Sequence, residues 1–140
     1  MSSAVQLFVY GTLQLPDILH AVVGARWHGR AALLEGYARY RVDGKPYPAI
    51  VSEPAASVLG LLYGDVGALE LERLDRYEGE LYERRTLSVR VGDSTLSALG
   101  YVLGDRHRAL LSTEHWDLAA FERDHLADYL ERISVTRRAP

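Results

Sequence analysis

The stretch best suited to bind a ligand is Tyr10-Gly11-Thr12-Leu13, which directly follows the apolar run 7–9. A short β-branched and aromatic run that ends at glycine is typical of a buried strand. Glycine at that end allows a positive φ and a close approach of the backbone to a ligand. Successive N–H groups of such a turn, with the Thr12 hydroxyl beside them, could hold a carboxylate. Taken alone, these residues are more simply explained as an ordinary turn at the end of a strand, since glycine turns are common.

A second candidate for chemistry is Glu78, which stands where a predicted helix ends just before Gly79. The carboxyl end of a helix carries partial negative charge, so an ionised acid is disfavoured there, and burial would raise its pKa further. A carboxyl group whose pKa approaches neutrality can act as a general base and then as a general acid. A solvated acid beside a glycine helix stop is the alternative.

The elements that must position these two candidates follow from hydrophobic periodicity. The run 57–63 is apolar on both faces, and a strand of that kind belongs in a closed or covered sheet. The predicted strands are residues 5–10, 27–42 with a bend at Gly36, 47–51, 57–63, 82–91 and 95–103. The predicted helices are residues 18–23, 66–77 and 117–133, and 104–114 is predicted as a loop or short irregular helix. This pattern predicts an α+β fold in which antiparallel strands curl around a core with about three helices.

Composition bounds the class of protein. With 140 residues, 48% of them hydrophobic, the chain is expected to form a single domain over residues 1–140. The formal net charge of -3 argues against a nucleic-acid or anionic-membrane surface, and the absence of cysteine excludes disulfides and thiolate chemistry. The sequence offers neither a signal-peptide pattern nor an apolar stretch that could span a bilayer, so we expect a soluble, cytoplasmic protein.

Metal and glycosidase chemistry are not favoured by the residue spacing. The five histidines show no metal-ligand spacing, and His107 and His115 fall in a predicted loop, so no metal site is expected. Asp75 and Glu78 could be taken for the paired carboxylates of a glycosidase. Residues three apart on a helix merely share a face, however, and a solvated face explains that spacing better.

Several motifs, taken together and in order, resemble the gamma-glutamylcyclotransferase-like superfamily, in particular its gamma-glutamylamine cyclotransferase and plant avirulence-induced-gene-like branch. The motifs are Val9-Tyr10-Gly11-Thr12-Leu13, Tyr47-Pro48-Ala49-Ile50, Gly60-Leu61-Leu62-Tyr63, Leu74-Asp75-x-Tyr77-Glu78-Gly79, Tyr82-x-Arg84 and Tyr101-Val102. The resemblance extends from residue 9 to residue 102. It implies a small mixed β-barrel of about five to seven strands with about three helices.

The resemblance also implies an activity that needs no cofactor. In the family's reaction the α-amine of a gamma-glutamyl substrate attacks its own γ-carbonyl, which releases 5-oxoproline and a free amine. Ring closure within one molecule needs neither a serine nor a cysteine nucleophile. By match to the family motif, Glu78 would be the general base and acid. Substrate would be bound by Tyr10, Gly11, Thr12 and Leu13, which would hold the glutamyl α-carboxylate, and by Tyr82, which would line the pocket or donate a hydrogen bond.

A rival interpretation is a non-catalytic module that binds a small amino-acid-like ligand or a protein partner. The intact glycine turn and Glu78 favour the enzyme, because a pure binding module would not need the acid. The sequence leaves the leaving amine and the oligomeric state open. Glutathione-specific members of the family usually carry serine where Thr12 stands, which makes glutathione a less favoured substrate.

Overall fold

The computed structural model describes residues 5–138, with side chains described through Ile133. The strands are β1 (Val5–Val9), β2 (Arg30–Val42), β3 (Pro48–Val66), β4 (Tyr82–Val91), β5 (Ser94–Leu103) and β6 (Leu111–His115). The α-helices are α1 (Pro16–Val23), α2 (Ala68–Glu78), α3 (Leu118–Asp124) and α4 (Leu126–Arg138). Short 3-10 turns occupy Thr12–Gln14, Gly79–Leu81 and Asp105–Leu110. Within this described part, no helix is both long and apolar enough to cross a membrane.

The strands form one mixed sheet in the order β3-β1-β5-β4-β2-β6. Strand β1 pairs antiparallel with β3 on one side and parallel with β5 on the other. Because β3 also pairs with β2, five strands form a closed ring, and β6 extends the sheet beyond β2. The predicted α+β fold is confirmed: residues 5–138 form six strands and four α-helices, where about three helices were expected.

Strand β1 contributes to two cores because its side chains alternate. Phe8 is fully buried among residues that come from the ring strands and the turn that follows β1. Leu7, also fully buried, belongs to a second core cluster, which includes Ile18, Leu74 and Phe121 of the helices. Full burial of such a side chain contributes about 1.5–3 kcal/mol. Strand β1 is therefore fixed at both edges and on both faces, and the turn that follows it has a rigid base.

The two strands predicted at 47–51 and 57–63 are one strand, β3, that passes through Pro54. The pairing with β2 jumps from Glu35 opposite Ser57 to Tyr37 opposite Ser52, so residues 53–56 have no register partner on β2. Proline is tolerated in such a segment because no ladder hydrogen bond is lost there. The predicted bend of β2 at Gly36 is confirmed by this bulge and by a φ of 85°.

Two further predictions near the carboxyl end differ from the structure. The segment 104–114, predicted as a loop or short irregular helix, contains the 3-10 turn Asp105–Leu110, but it also contains most of β6. Strand β6 pairs with β2 through Tyr40 opposite His115 and Val42 opposite Leu111. The helix predicted over 117–133 is interrupted at His125, so α3 and α4 are separate. Asp117 is the N-cap of α3, because its side chain accepts a hydrogen bond from the Ala120 N–H at 3.1 Å.

Candidate active site

Helix α2 positions Glu78 as its last residue. Side chains four residues apart lie on the same face of a helix, and Leu74, four residues before Glu78, is fully buried. Gly79 then ends the helix with a φ of 74°, a conformation that favours glycine. The same face that anchors α2 to the core therefore turns the Glu78 carboxyl toward the interior.

The glycine turn, residues 10–13, directly follows β1 and is braced by hydrogen bonds. The Gly11 carbonyl oxygen accepts from the Gln14 N–H at 3.1 Å, and the Leu13 carbonyl oxygen accepts from the Tyr63 hydroxyl at 2.9 Å. The φ of Gly11 is -125°, so the positive φ that the sequence suggested is not what requires glycine. A Cβ at this position would lie 2.9 Å from Cγ of Pro48. Glycine is needed here because Pro48 packs against the backbone.

The glycine turn and Glu78 line one cavity of about 150 Å³. Every residue that the sequence placed in the site lies in its wall: Tyr10, Gly11, Thr12, Leu13, Glu78 and Tyr82. The other lining residues are Phe8, Val9, Tyr47, Pro48, Tyr77, Leu81, Tyr101 and Tyr129. The two motifs, 65 residues apart, are thus brought together, while the chemical role of each residue stays a prediction.

A chain of three hydroxyl groups crosses one side of the cavity. The Thr12 hydroxyl lies 2.8 Å from the Tyr77 hydroxyl, which lies 2.6 Å from the Tyr129 hydroxyl. Burial is the main cause that raises the pKa of Tyr77 well above its usual value. The phenol therefore stays protonated, and the chain joins the glycine turn to α2 and α4 through neutral hydrogen bonds.

Three more tyrosines have their hydroxyls committed to protein acceptors. Tyr10 donates to the Tyr101 carbonyl oxygen at 2.6 Å, and Tyr82 donates to the Pro48 carbonyl oxygen at 2.6 Å. Tyr101 donates to Asp75 at 2.7 Å. Burial is the leading cause that raises the pKa of Tyr82 and of Tyr101. These rings are fixed walls of the cavity rather than titrating groups near neutral pH.

The surroundings of Glu78 shift the pKa of its carboxyl group toward neutral pH. Burial, followed by the nearby negative charge of Asp75, raises the pKa of Glu78 from 4.5 to about 8. Protein atoms surround the Glu78 carboxyl on most sides. The side chain is nevertheless only half-buried, because it lines the cavity and water reaches it there. Among residues 5–133 no side chain hydrogen-bonds or ion-pairs with it, which leaves both oxygens available to a ligand.

Asp75 is more than part of a solvated helix face. It accepts the Tyr101 hydrogen bond and forms an ion pair with Arg84. It is the second cause of the raised Glu78 pKa. No group of three or more His, Cys, Asp or Glu side chains in the described part of the chain could hold a metal ion.

A family model described as "Gamma-glutamyl cyclotransferase, AIG2-like" matches residues 7–118. The chain belongs to this family. It is 29% identical to AIG2-like protein C of Arabidopsis thaliana, over 99% of this chain and 83% of that protein. A solution structure of At3g28950.1 from Arabidopsis thaliana matches with a TM-score of 0.71 at 28% identity, over 97% of this chain and 83% of that one.

A solved structure named gamma-glutamyl cyclotransferase is similar in fold, with a TM-score of 0.65 at 14% identity. The match covers 94% of this chain and 86% of that one. At this level of identity the likeness establishes the shared fold alone.

For this AIG2-like chain, sequence reasoning did not assign site roles to Tyr77, Tyr101 or Tyr129. A signal existed for Tyr77, which directly precedes Glu78 and lies three residues after the buried Leu74, so it shares the inward helix face. Tyr129 lies beyond the matched residues 7–118, on α4, and its contact with the cavity depends on how that helix packs. No local pattern in the sequence indicates it.

Proposed function

We propose that the protein is a gamma-glutamyl cyclotransferase, which cyclises the gamma-glutamyl group of a gamma-glutamyl amine or amino acid to 5-oxoproline and releases the free amine. Glu78 is the general base and then the general acid. The glycine turn binds the glutamyl α-carboxylate through its N–H groups and the Thr12 hydroxyl. Tyr82, fixed on the Pro48 carbonyl oxygen, forms a wall of the substrate pocket.

The reaction forms one bond and breaks one bond within the same substrate. The α-amine nitrogen, in its neutral form, attacks the γ-carbonyl carbon, and Glu78 accepts the one proton that this nitrogen loses as it becomes the ring N–H of 5-oxoproline. The bond from that carbon to the leaving nitrogen then breaks, and Glu78 returns the proton to the leaving amine. No water is consumed, and a well-oriented intramolecular attack can lower the barrier by about 7–11 kcal/mol.

One observation carries the proposal: a carboxyl group with a pKa of about 8 lines the same cavity as the glycine turn. A carboxylate with an ordinary pKa is a poor acceptor for an ammonium proton, whereas a base whose pKa lies near the working pH transfers protons in both directions. Glu78 has no side-chain partner among residues 5–133 that would explain its position as structural. Its burial is unfavourable for folding and useful for catalysis.

The test is 5-oxoproline release from a panel of gamma-glutamyl compounds by the parent protein, Glu78→Gln and the control Glu80→Gln. Glu80 is an exposed acid two residues further along, and its substitution should not affect turnover. Glu78→Gln should lose about 10²–10⁴-fold in rate, because Gln keeps the shape but cannot accept the proton.

Equal turnover by Glu78→Gln and the parent would remove Glu78 from the chemistry. If the parent protein bound a gamma-glutamyl ligand but released no 5-oxoproline from any member of the panel, a non-catalytic binding module would replace the enzyme.

A further inference from the structure

Arg39 lies behind the glycine turn and is absent from the cavity wall. It is a half-buried residue of β2, and its Nη1 donates to the Tyr10 carbonyl oxygen at 2.7 Å and to the Leu59 carbonyl oxygen at 3.3 Å. Its guanidinium lies 5.5 Å from the centre of the Trp116 ring. The Trp116 Nε1–H is in turn fixed on the Pro46 carbonyl oxygen at 2.7 Å. Arg39 is thus held between two backbone carbonyls and an aromatic face.

The Tyr10 carbonyl belongs to the same peptide group as the Gly11 N–H. The described residues contain no cis peptide bond, and in a planar trans peptide the C=O and the N–H point in opposite directions. A carbonyl held toward Arg39 therefore directs the Gly11 N–H away from Arg39, which is itself outside the wall of the cavity that Tyr10 and Gly11 line. A charged donor on the carbonyl also polarises the peptide and makes its N–H a stronger donor.

We infer that Arg39 is a positioning residue for anion binding, which orients and polarises the Tyr10–Gly11 peptide so that the Gly11 N–H binds the substrate's α-carboxylate. The inference rests on the proposed function, since the anion it serves is the glutamyl carboxylate. Arg39 touches no reacting atom. Its loss should weaken the binding of anionic ligands and leave proton transfer at Glu78 unchanged.

Arg41 offers a matched control on the same strand. It is also half-buried and lies two residues further along β2, but it pairs with Glu114 at 2.9 Å and lies outside the cavity wall. Arg41→Met removes a guanidinium of similar burial without touching the Tyr10 carbonyl.

The experiment is calorimetric titration of the parent protein, Arg39→Met and Arg41→Met with 5-oxoproline and with its neutral carboxamide. Arg39→Met should bind 5-oxoproline about tenfold more weakly, because the charged guanidinium that orients the Gly11 N–H toward the carboxylate is lost. Its affinity for the carboxamide should not change, nor should either affinity of Arg41→Met. In turnover assays Arg39→Met should raise KM, with kcat and the pH profile unchanged.

Equal affinity of Arg39→Met and the parent for 5-oxoproline would overturn the inference. An equal loss for both ligands would also overturn it, because a general distortion would then explain the effect. If the parent bound neither ligand and turned over no gamma-glutamyl compound, the proposed function would fail and the inference with it.

A melting curve shows whether Arg39→Met folds. If it does not, Arg39→Lys and Arg39→Gln decide the question, because both can donate to the Tyr10 carbonyl but only lysine keeps the charge. The inference then requires 5-oxoproline affinity to fall in the order parent, Lys variant, Gln variant. Identical affinities of the two variants would contradict it.

Discussion

The two sides of the cavity are built differently. The strand wall, formed by the glycine turn and Pro48, is buried throughout and follows a strand that is paired at both edges. The helix wall, formed by Tyr77, Glu78 and Tyr129, is half-buried and comes from two helices that pack outside the ring. Under the proposed function the strand wall binds the carboxylate through backbone N–H groups and the Thr12 hydroxyl, whereas the helix wall carries the Glu78 carboxyl and the Tyr77 and Tyr129 hydroxyls.

Under the proposed function, this difference separates ligand binding from proton transfer. Backbone donors on a fixed strand end need no reorganisation to receive a carboxylate, which is what a binding site for an anion requires. The helix wall admits water and carries the group whose pKa lies near 8, as a proton-transfer site requires. Changes to the strand wall should therefore alter affinity, and changes at Glu78 should alter rate.

The largest effect on the strand wall is expected from Gly11→Val. Its Cβ would lie 2.9 Å from Cγ of Pro48, so either the turn or Pro48 must move. Overpacking of this kind costs about 1–3 kcal/mol, which corresponds to about a 5–150-fold loss of ligand affinity if the turn gives way. Gly64→Val is the control, because a Cβ there meets nothing within 4 Å. Calorimetry with 5-oxoproline measures both, and unchanged affinity in a folded Gly11→Val protein would refute a binding role for this wall.

An effect of comparable size, on stability instead of affinity, is expected at the helix wall. The folded pKa of Glu78 is raised, so its contribution to stability is fully present below pH 4.5 and is lost as the pH rises through about 8. Glu78→Gln should therefore become more stable relative to the parent across that range, by about 1–3 kcal/mol after allowance for the water that reaches the carboxyl. Melting temperatures from pH 4 to pH 9 would reveal this, and a pH-independent difference would mean that burial does not perturb Glu78.

The smallest effect is expected from Tyr77→Phe, which interrupts the hydroxyl chain between Thr12 and Tyr129. A hydrogen bond of this type contributes about 0.5–1.5 kcal/mol, so KM should rise about 2–12-fold while kcat stays unchanged. Tyr40→Phe is a control away from the cavity, since the Tyr40 hydroxyl bonds to Glu53. A fall in kcat as large as that of Glu78→Gln would instead place Tyr77 in proton transfer.

Much of the fold could be predicted because local patterns and tertiary structure agree. The apolar faces of 57–63 indicated a closed sheet, and Gly36 indicated the bulge. Strand β6 could not be predicted, because its residues have a mostly exposed pattern and it exists only by pairing with β2. The continuity of β3 through Pro54 depends on a gap in register that no local pattern shows.

The site was predictable where a residue follows from its own element. Glu78 follows from the helix end and the buried face of α2, and the glycine turn follows from the end of β1. Tyr129 could not be assigned, because its place in the cavity wall comes from contact with Tyr77, 52 residues away. Asp75 shares a helix face with Glu78 and raises its pKa, but the hydrogen bond that Asp75 accepts from Tyr101 joins distant segments and was not predictable. The role proposed for Arg39 could not be predicted from the sequence either, since its hydrogen-bond partner is the backbone carbonyl of Tyr10, 29 residues away.

The pH dependence of kcat/KM for 5-oxoproline release tests the account most directly, because kcat/KM reports the free enzyme. With Glu78 as base, activity should rise with pH through the ionisation of Glu78 near pH 8, since below that value the carboxyl is protonated and cannot accept a proton. The α-ammonium group of the substrate ionises as well, and that ionisation is the same for the parent and the Gln variant. The residual activity of Glu78→Gln should not show the rise that the ionisation of Glu78 causes near pH 8. A parent profile that is already flat above pH 6, or a Gln variant with the same rise, would contradict the assignment of Glu78 as the base.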